Sequence, residues 1–276
     1  MKHECNIPAL EMDQLPEDVQ PQIKEACKAW SDIYFTVSLN PRLMLFYGPA
    51  GTFKSSTSSM YEMRNRHLER FPITPETCWA ELRGGFMPDG KDGARWLDGF
   101  CTRAWRMSNT DRGCRAVIDE IDQAGGDTIA GLHMFTDGKR IAKMTLPNGE
   151  TLTPGDKFQC FATTNALPQN LPEALNDRFA IKREVLFPDP RFLFGLDQKL
   201  RVAAAYSLYN KSASDANLRG LTTRSWIQVN EFMADGVDLK SAVQAVVGYK
   251  LANAAAKAIE AAALKKAVQV SLDYHP

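Results

Sequence analysis

The segment from residue 48 to residue 55 has the residue types and spacing of a loop that binds phosphate groups. It reads Gly48-Pro49-Ala50-Gly51-Thr52-Phe53-Lys54-Ser55, and Ser56 follows. In the pattern G-x-x-x-x-G-K-S/T, glycines let backbone N–H groups turn onto phosphate oxygens, the lysine contacts the β- and γ-phosphates, and the hydroxyl binds Mg²⁺. Phe53 stands where the second glycine is expected. The sequence therefore predicts a nucleotide site at residues 48–56 with one unusual position.

A second chemical signal is an apolar run that ends in two carboxylates. Asp119 and Glu120 directly follow the apolar residues 116–118, and ligands of parallel α/β sheets bind at the carboxyl ends of strands. There Asp119 would hold Mg²⁺, directly or through water, and Glu120 would polarise the water that attacks phosphorus. Such a run is common by itself. Its place downstream of a phosphate loop makes the interpretation specific.

Further polar residues follow in positions that suit phosphoryl transfer. Asn165 ends the next apolar run and could hold the attacking water at the same edge of the sheet. Arg178 follows soon after, and Arg224 lies in the later helical region. An arginine after a strand is commonly a solvated surface residue. For each of these two arginines, the alternative to a phosphate contact is therefore an ordinary surface position. Arg183 is the runner-up for a second contact.

The elements that must position these residues follow an α/β order. Apolar strands at 43–47, 116–118 and 158–163 alternate with helical segments, which is typical of a parallel sheet flanked by helices. After the prolines near residue 188 the pattern is helical, with predicted helices at 192–210, 225–233 and 239–270. We therefore expect a lead-in helix at 1–40, an α/β nucleotide-binding core at 41–188 and a small helical domain at 189–276.

Two connections inside the core are also predicted. Residues 82–93 are rich in Gly, Pro and Asp, which favours an irregular, projecting loop. Strands at 141–146 and 150–153 flank Asn148-Gly149, a strong β-hairpin signal. Both segments are candidates for contact with a partner.

Composition excludes several classes of protein. The 276 residues carry 33 acidic and 33 basic side chains, so no global field attracts nucleic acid or an anionic membrane. No apolar run reaches the length of a membrane span, and the polar N-terminus lacks a secretory signal, so a cytoplasmic protein is expected. Six scattered cysteines without a C-x-x-C pair favour reduced thiols. The four histidines form no ligand cluster, and we expect no metal site made of protein ligands alone.

The set of motifs resembles the AAA+ ATPases over most of the chain. The resemblance rests on the phosphate loop, the Asp-Glu strand, the Asn-ended strand, the Asp177-Arg178-Phe179 box and a later arginine. Details resemble the MoxR-like branch, namely Arg95-Trp96-Leu97-Asp98-Gly99, the Pro147-Asn148-Gly149 turn and Leu171-Pro172-Glu173-Ala174-Leu175. The resemblance implies an AAA+ core with a C-terminal helical lid domain, and ATP and Mg²⁺ as cofactors.

The same resemblance assigns roles to residues and implies partners. Asn165 is the sensor-1 residue, Arg178 the arginine finger that reaches a neighbouring subunit's γ-phosphate, and Arg224 the sensor-2 arginine. An arginine supplied in trans leaves the site of a monomer incomplete, so a homo-oligomeric ring is implied, usually a hexamer. The family expectation for the partner is a protein with a von Willebrand A-type domain.

Three functions remain open at this stage. The first is an ATPase whose hydrolysis cycle remodels or activates a partner protein. The second is a nucleotide-dependent assembly scaffold in which Phe53 weakens or abolishes hydrolysis. The third, a nucleic-acid motor or loader, ranks last because neither the balanced charge nor any cluster of basic and aromatic residues supports it.

Overall fold

The computed structural model describes residues 4–5, 7–90, 93–210 and 215–273. The chain divides into two compact units: residues 36–185, which we term the core unit, and residues 1–35 with 186–276, which we term the helical unit. The N-terminal segment thus shares a unit with the C-terminal helices, and the core unit ends close to the boundary predicted at residue 188. The division into three domains stays a prediction.

The strands and helices of the described residues are numbered in chain order. The strands are β1 (Leu43–Tyr47), β2 (His67–Pro72), β3 (Gly84–Pro88), β4 (Ala94–Asp98), β5 (Cys114–Asp119), β6 (Met144–Thr145), β7 (Thr151–Leu152), β8 (Phe158–Thr164) and β9 (Ile181–Glu184). The α-helices are α1 (Ala9–Met12), α2 (Gln20–Ser38), α3 (Lys54–Met60), α4 (Trp79–Arg83), α5 (Phe100–Ser108), α6 (Gly126–Phe135), α7 (Glu173–Arg178), α8 (Gln198–Tyr209), α9 (Thr223–Ala234), α10 (Leu239–Val247) and α11 (Tyr249–Asp273).

A five-stranded parallel sheet forms the centre of the core unit. Its order is β2-β5-β8-β1-β9, and all four neighbouring pairs are parallel. Every residue of β5 and β8 is buried, which explains why these strands are nearly continuous apolar runs in the sequence. The predicted α/β fold, a parallel sheet with helices and a C-terminal helical part, is confirmed.

The edge strand β2 was not predicted. Its side chains alternate between partly buried and exposed, and it carries Glu69 and Arg70 in its middle. Charged residues are a common means of protecting an exposed sheet edge from pairing with another chain. Because these charged residues interrupt β2, its sequence lacks the continuous apolar run by which the central strands were recognised.

The prediction of an irregular loop at residues 82–93 was wrong. Strands β3 and β4 pair antiparallel, with Gly84 opposite Asp98 and Phe86 opposite Trp96. The rings of Phe86 and Trp96 meet edge to face at 5.4 Å, and aromatic cross-strand pairs of this kind stabilise hairpins. Gly84 has φ +106, and a Cβ there would lie 2.3 Å from the carbonyl oxygen of Leu97, so this glycine permits the pairing.

The hairpin predicted around Asn148-Gly149 is present but shorter than expected. Strands β6 and β7 pair Met144 with Leu152 and Thr145 with Thr151. Gly149 has φ +86, the left-handed conformation that glycine adopts without a steric penalty.

One apolar core holds the helical unit together. Residues near the N-terminus, such as Leu15 and Ile23, belong to the same buried cluster as Trp226 and Ile259. The single helix predicted at 239–270 is two helices, α10 and α11, because Gly248 between them has φ +81. Within the residues described, no helix combines the length and the apolar character needed to cross a membrane.

Arg115 on β5 is fully buried and anchors the end of α3. Its guanidinium donates to the carbonyl oxygens of Ser58 at 3.2 Å, Tyr61 at 2.5 Å and Glu62 at 3.1 Å. The ring of Phe161 lies 4.4 Å from its Cζ atom. Arg115 therefore fixes the helix that follows the predicted phosphate loop.

We expect Arg115→Met to lower the free energy of unfolding by about 3 kcal/mol, because it leaves buried carbonyls without a donor at about 1–3 kcal/mol each. Urea unfolding followed by circular dichroism measures this change. Arg112→Gln is the matched control, since Arg112 is exposed and its Nε donates only to the carbonyl of Asn65; a loss below about 1 kcal/mol is expected. Equal losses in the two variants would contradict the anchoring role.

Candidate nucleotide site

The carboxyl ends of three neighbouring strands bring predicted site residues together. β1 runs into the predicted phosphate loop, β5 ends at Asp119, and β8 is followed by Asn165. The sheet order places β8 between β5 and β1, with Tyr47 level with Thr164 in the register. Because parallel strands end at the same edge of a sheet, residues that are distant in sequence meet there.

Lys54 links the loop to the end of β8. Its Nζ donates to the carbonyl oxygens of Gly48 at 2.8 Å and Pro49 at 2.6 Å, and to Oδ1 of Asn165 at 3.0 Å. The Thr52 hydroxyl also donates to the Pro49 carbonyl, at 2.9 Å. The lysine is thus folded into its own loop, at the position from which an ammonium group can contact phosphate oxygens.

The charge state of Lys54 is sensitive to its surroundings. Burial lowers the pKa of Lys54 to about 8, against the opposing effect of the nearby carboxylates of Asp122, Glu120 and Asp119. The lysine is 6% exposed. The pKa of Lys54 therefore lies well below that of a solvated lysine.

The backbone of the loop adopts left-handed conformations where glycine would favour them. Gly48 has φ +131, and a Cβ there would lie 2.6 Å from the carbonyl oxygen of Val185. Gly51 has φ +77. Phe53 is also left-handed, with φ +64 and ψ +16, although an L side chain makes this conformation costly. Phe53 is partly buried. The loop therefore keeps a glycine-like backbone at the unusual position.

Asp119 and Glu120 stand at the end of β5, next to β8. Thr163 on β8 donates its hydroxyl to Asp119 Oδ1 at 2.9 Å and accepts the backbone N–H of Glu120 at 3.3 Å. Asp119 is buried, whereas Glu120 is exposed and left-handed, with φ +56 and ψ +47. The turn after Asp119 thus presents the glutamate at the sheet edge.

Sequence reasoning missed two charged residues of this site. Arg70 on β2 forms an ion pair with Asp119 through Nε and Oδ2. Asp122 has one buried oxygen, Oδ1, without a hydrogen-bond partner in the described structure, while Oδ2 accepts from Gln123 at 2.9 Å. Asp122 was within reach of sequence reasoning because it follows Glu120 by two positions. Arg70 was not, because β2 was unrecognised.

Arg178 ends α7 and is held by residues of its own chain. Its Nε and Nη2 donate to Asp137 Oδ1 at 3.0 and 2.7 Å. Its Nε also donates to the carbonyl oxygen of His133 at 3.0 Å, and its Nη1 donates to the carbonyl oxygen of Ala174. The guanidinium also lowers the pKa of His133, after the larger effect of burial. These bonds join Arg178 to residues outside the phosphate loop. Its predicted role in a neighbouring subunit stays a prediction.

Arg183 is not joined to the loop by the contacts described, and Arg224 belongs to the other unit of the chain. Arg183 on β9 donates through Nε to the Thr36 hydroxyl at 3.0 Å. Arg224 is an exposed residue in the first turn of α9 and follows the N-cap residue Thr222 by two positions. It belongs to the helical unit. The sensor-2 role of Arg224 stays a prediction.

The oxygen donors at the loop fit Mg²⁺ bound together with a nucleotide. Ser55 and Ser56 lie in the first turn of α3, with Ser55 partly buried and Ser56 exposed, and Asp119 supplies a carboxylate. Hydroxyl and carboxylate oxygens suit Mg²⁺, which usually completes its shell with phosphates and water. The described residues contain no group of three or more His, Cys, Asp or Glu side chains able to hold a metal. A metal ligated by Ser55 and Asp119 would therefore depend on the nucleotide.

The parallel sheet, the lysine-bearing loop and the acidic strand end define a P-loop nucleotide-binding protein. A family model described as AAA domain (dynein-related subfamily) matches residues 43–179, from β1 to Phe179. Protein CbbQ of Hydrogenophilus thermoluteolus is 25% identical over 208 residues, which cover 70% of this chain and 75% of that protein. The chain is thus similar to AAA domains and to CbbQ, and the resemblance to AAA+ ATPases of the MoxR-like branch inferred from the sequence is confirmed.

We expect Phe53→Gly to be more stable than Phe53→Ala by about 1 kcal/mol. Both variants lose the ring, but only glycine removes the cost of the left-handed backbone, about 1–2 kcal/mol for an L residue. Thermal and urea unfolding of the two variants measure the difference. An alanine variant that is as stable as the glycine variant would contradict the conformation of this loop.

Proposed function

We propose that this chain is an ATPase that works in a homo-oligomeric ring and couples Mg²⁺-ATP binding and hydrolysis to the remodelling or activation of a partner protein. The observation that carries the proposal is the meeting of Lys54, Asn165 and Asp119 at one edge of the sheet. In this role the backbone of residues 48–55 surrounds the phosphates and Lys54 contacts their β- and γ-oxygens. Ser55 and Asp119 would hold the Mg²⁺, which neutralises charge on the phosphates.

Glu120 and Asn165 are the proposed residues for the attacking water. Both are exposed and follow adjacent strands of the sheet, β5 and β8. Glu120 would accept the proton of the water, and the Asn165 amide would hold that water in place. Asn165 also contacts Lys54 at 3.0 Å, so it can respond to the phosphate that the lysine binds.

Arg178 is the proposed arginine finger, and Arg224 the proposed lid arginine. An arginine finger stabilises the charge of the transition state and is worth about 10³–10⁵ in rate. Arg178 keeps a side chain that is 26% exposed while paired with Asp137, so a neighbouring subunit can reach it once that pair opens. Completion of the site in trans is the reason for proposing a ring, with six subunits as the family's usual number.

Two hairpins are the proposed contact with the partner. In the β3–β4 hairpin, Phe86, Met87 and Leu97 are each about half exposed, and exposed apolar side chains of this kind commonly mark interaction sites. Arg106 on α5 pairs with Asp98 of β4 and with Glu150 beside β7. This double pair joins the two hairpins, so that they can move together. A protein with a von Willebrand A-type domain is the proposed partner on family grounds alone.

A nucleotide-dependent scaffold with little or no hydrolysis is the second candidate. It rests on Phe53, whose left-handed backbone is costly for an L residue. In this alternative, nucleotide binding assembles the ring, but the phosphates are held too poorly for attack by water.

The main test is ATP hydrolysis per subunit across a range of protein concentrations with Mg²⁺. We expect the rate to rise as subunits associate, and to fall by at least about a hundredfold in Glu120→Gln and in Arg178→Ala. Arg112→Gln is the matched control, since Arg112 is exposed and lies outside the site, and it should keep most of the activity. An equimolar mixture of the two inactive variants should regain part of the rate, because some sites then combine an intact Glu120 with a neighbour's Arg178.

The outcomes separate the two candidates. Nucleotide-dependent assembly without hydrolysis at any concentration would favour the scaffold. Hydrolysis that is independent of protein concentration, with no recovery in the mixture, would contradict completion of the site in trans.

Nucleotide affinity should fall as the pH rises through about 8. A triphosphate binds the ammonium form of Lys54, and that form is lost from the free protein above its pKa of about 8. Kd should be nearly constant between pH 7 and 7.5 and then rise by up to about tenfold per pH unit. Equilibrium titration with a fluorescent ATP analogue measures this profile. Lys54→Arg, whose guanidinium stays charged, should flatten it; an unchanged slope would exclude Lys54 as its source.

A further inference from the structure

Arg70 places a guanidinium on the carboxylate proposed to hold Mg²⁺. It lies on the edge strand β2, and its Nε donates to Oδ2 of Asp119. The side chain of Arg70 is 52% exposed, whereas that of Asp119 is 5% exposed. The arginine thus reaches from the edge of the sheet to a buried acid.

Both oxygens of Asp119 therefore have partners. Oδ1 accepts from the Thr163 hydroxyl at 2.9 Å, and Oδ2 accepts from Arg70. The hydrogen bonds of Lys54 go to two loop carbonyls and to Asn165 instead. Among the described residues, Arg70 is the cation that pairs with Asp119, and a buried carboxylate without such a partner would be costly.

We propose that Arg70 is a positioning residue that occupies the metal-binding oxygen of Asp119 and must be displaced when Mg²⁺ binds with the nucleotide. The inference rests on the proposed function. Binding of the metal exchanges one cation on Asp119 for another, so the buried carboxylate stays neutralised. Mg²⁺ then competes with a guanidinium of the same chain, which raises the Mg²⁺ concentration that the site requires.

The size of the effect follows from the exposure of the arginine. A half-exposed guanidinium is partly solvated and competes weakly, since ion pairs with an exposed partner contribute little. Removing it should lower the Mg²⁺ concentration for half-saturation about three- to fivefold. Arg70 is half exposed on an edge strand, so its replacement by glutamine is expected to fold.

The test measures binding of a non-hydrolysable fluorescent ATP analogue while Mg²⁺ is titrated. Wild type is compared with Arg70→Gln, Arg70→Lys and Arg103→Gln. Arg103 donates to Glu69, the neighbour of Arg70 on β2, at 3.1 Å, so its variant removes a nearby charge without touching Asp119. The half-saturating Mg²⁺ concentration should fall in Arg70→Gln, fall less in Arg70→Lys, and stay within about twofold of wild type in Arg103→Gln.

Each result decides the inference. An unchanged or higher half-saturation value in Arg70→Gln overturns it, and so does an equal fall in Arg103→Gln, which would indicate a general charge effect. If Arg70→Gln does not fold, Arg70→Met replaces it under the same criteria. Failure of the wild type to bind the analogue at any Mg²⁺ concentration would remove the proposed function, and this inference with it.

Discussion

The site depends on the constraint that parallel strands end at one edge of a sheet. Lys54, Asp119 and Asn165 are far apart in sequence, and nothing local holds them near each other. They meet because β8 lies between β1 and β5 and all three strands run in the same direction. The apolar packing of these strands is therefore a condition for the proposed chemistry, and a different strand order would separate the lysine from both the acid and the amide.

Lys54 and Asp119 at this edge, and Arg178 on α7, already have partners within the chain. Lys54 donates to two carbonyls and an amide, Asp119 accepts from Thr163 and Arg70, and Arg178 is paired with Asp137. Binding of Mg²⁺ and nucleotide would consequently exchange existing bonds for new ones, and would not simply add favourable contacts. The net affinity would then be a difference between two sets of charge-assisted bonds.

The sequence allowed prediction of the fold and of most of the proposed site because both leave local signals. Buried strands are continuous apolar runs, and the phosphate loop has a fixed pattern of residue types. The missing parts depend on tertiary context. β2 carries the charges of an edge strand, and the β3–β4 hairpin forms through a cross-strand aromatic pair in a Gly-rich segment. The pairing of Arg70 with Asp119 requires knowledge of strand order, which periodicity does not contain.

Phe53 is where local preference and the needs of the loop conflict. Its left-handed backbone keeps the conformation that glycine would supply, and strain of this kind is commonly found at functional sites. The scaffold hypothesis assumes that the bulky side chain of Phe53 weakens or abolishes hydrolysis at the phosphate site. One way in which Phe53 could impair the site is by displacing Lys54, and the contacts of Lys54 bear on this. Lys54 lies within its loop, 2.6–3.0 Å from its three partners. In this structure, therefore, Phe53 does not keep Lys54 out of the loop, although the phenylalanine backbone is left-handed.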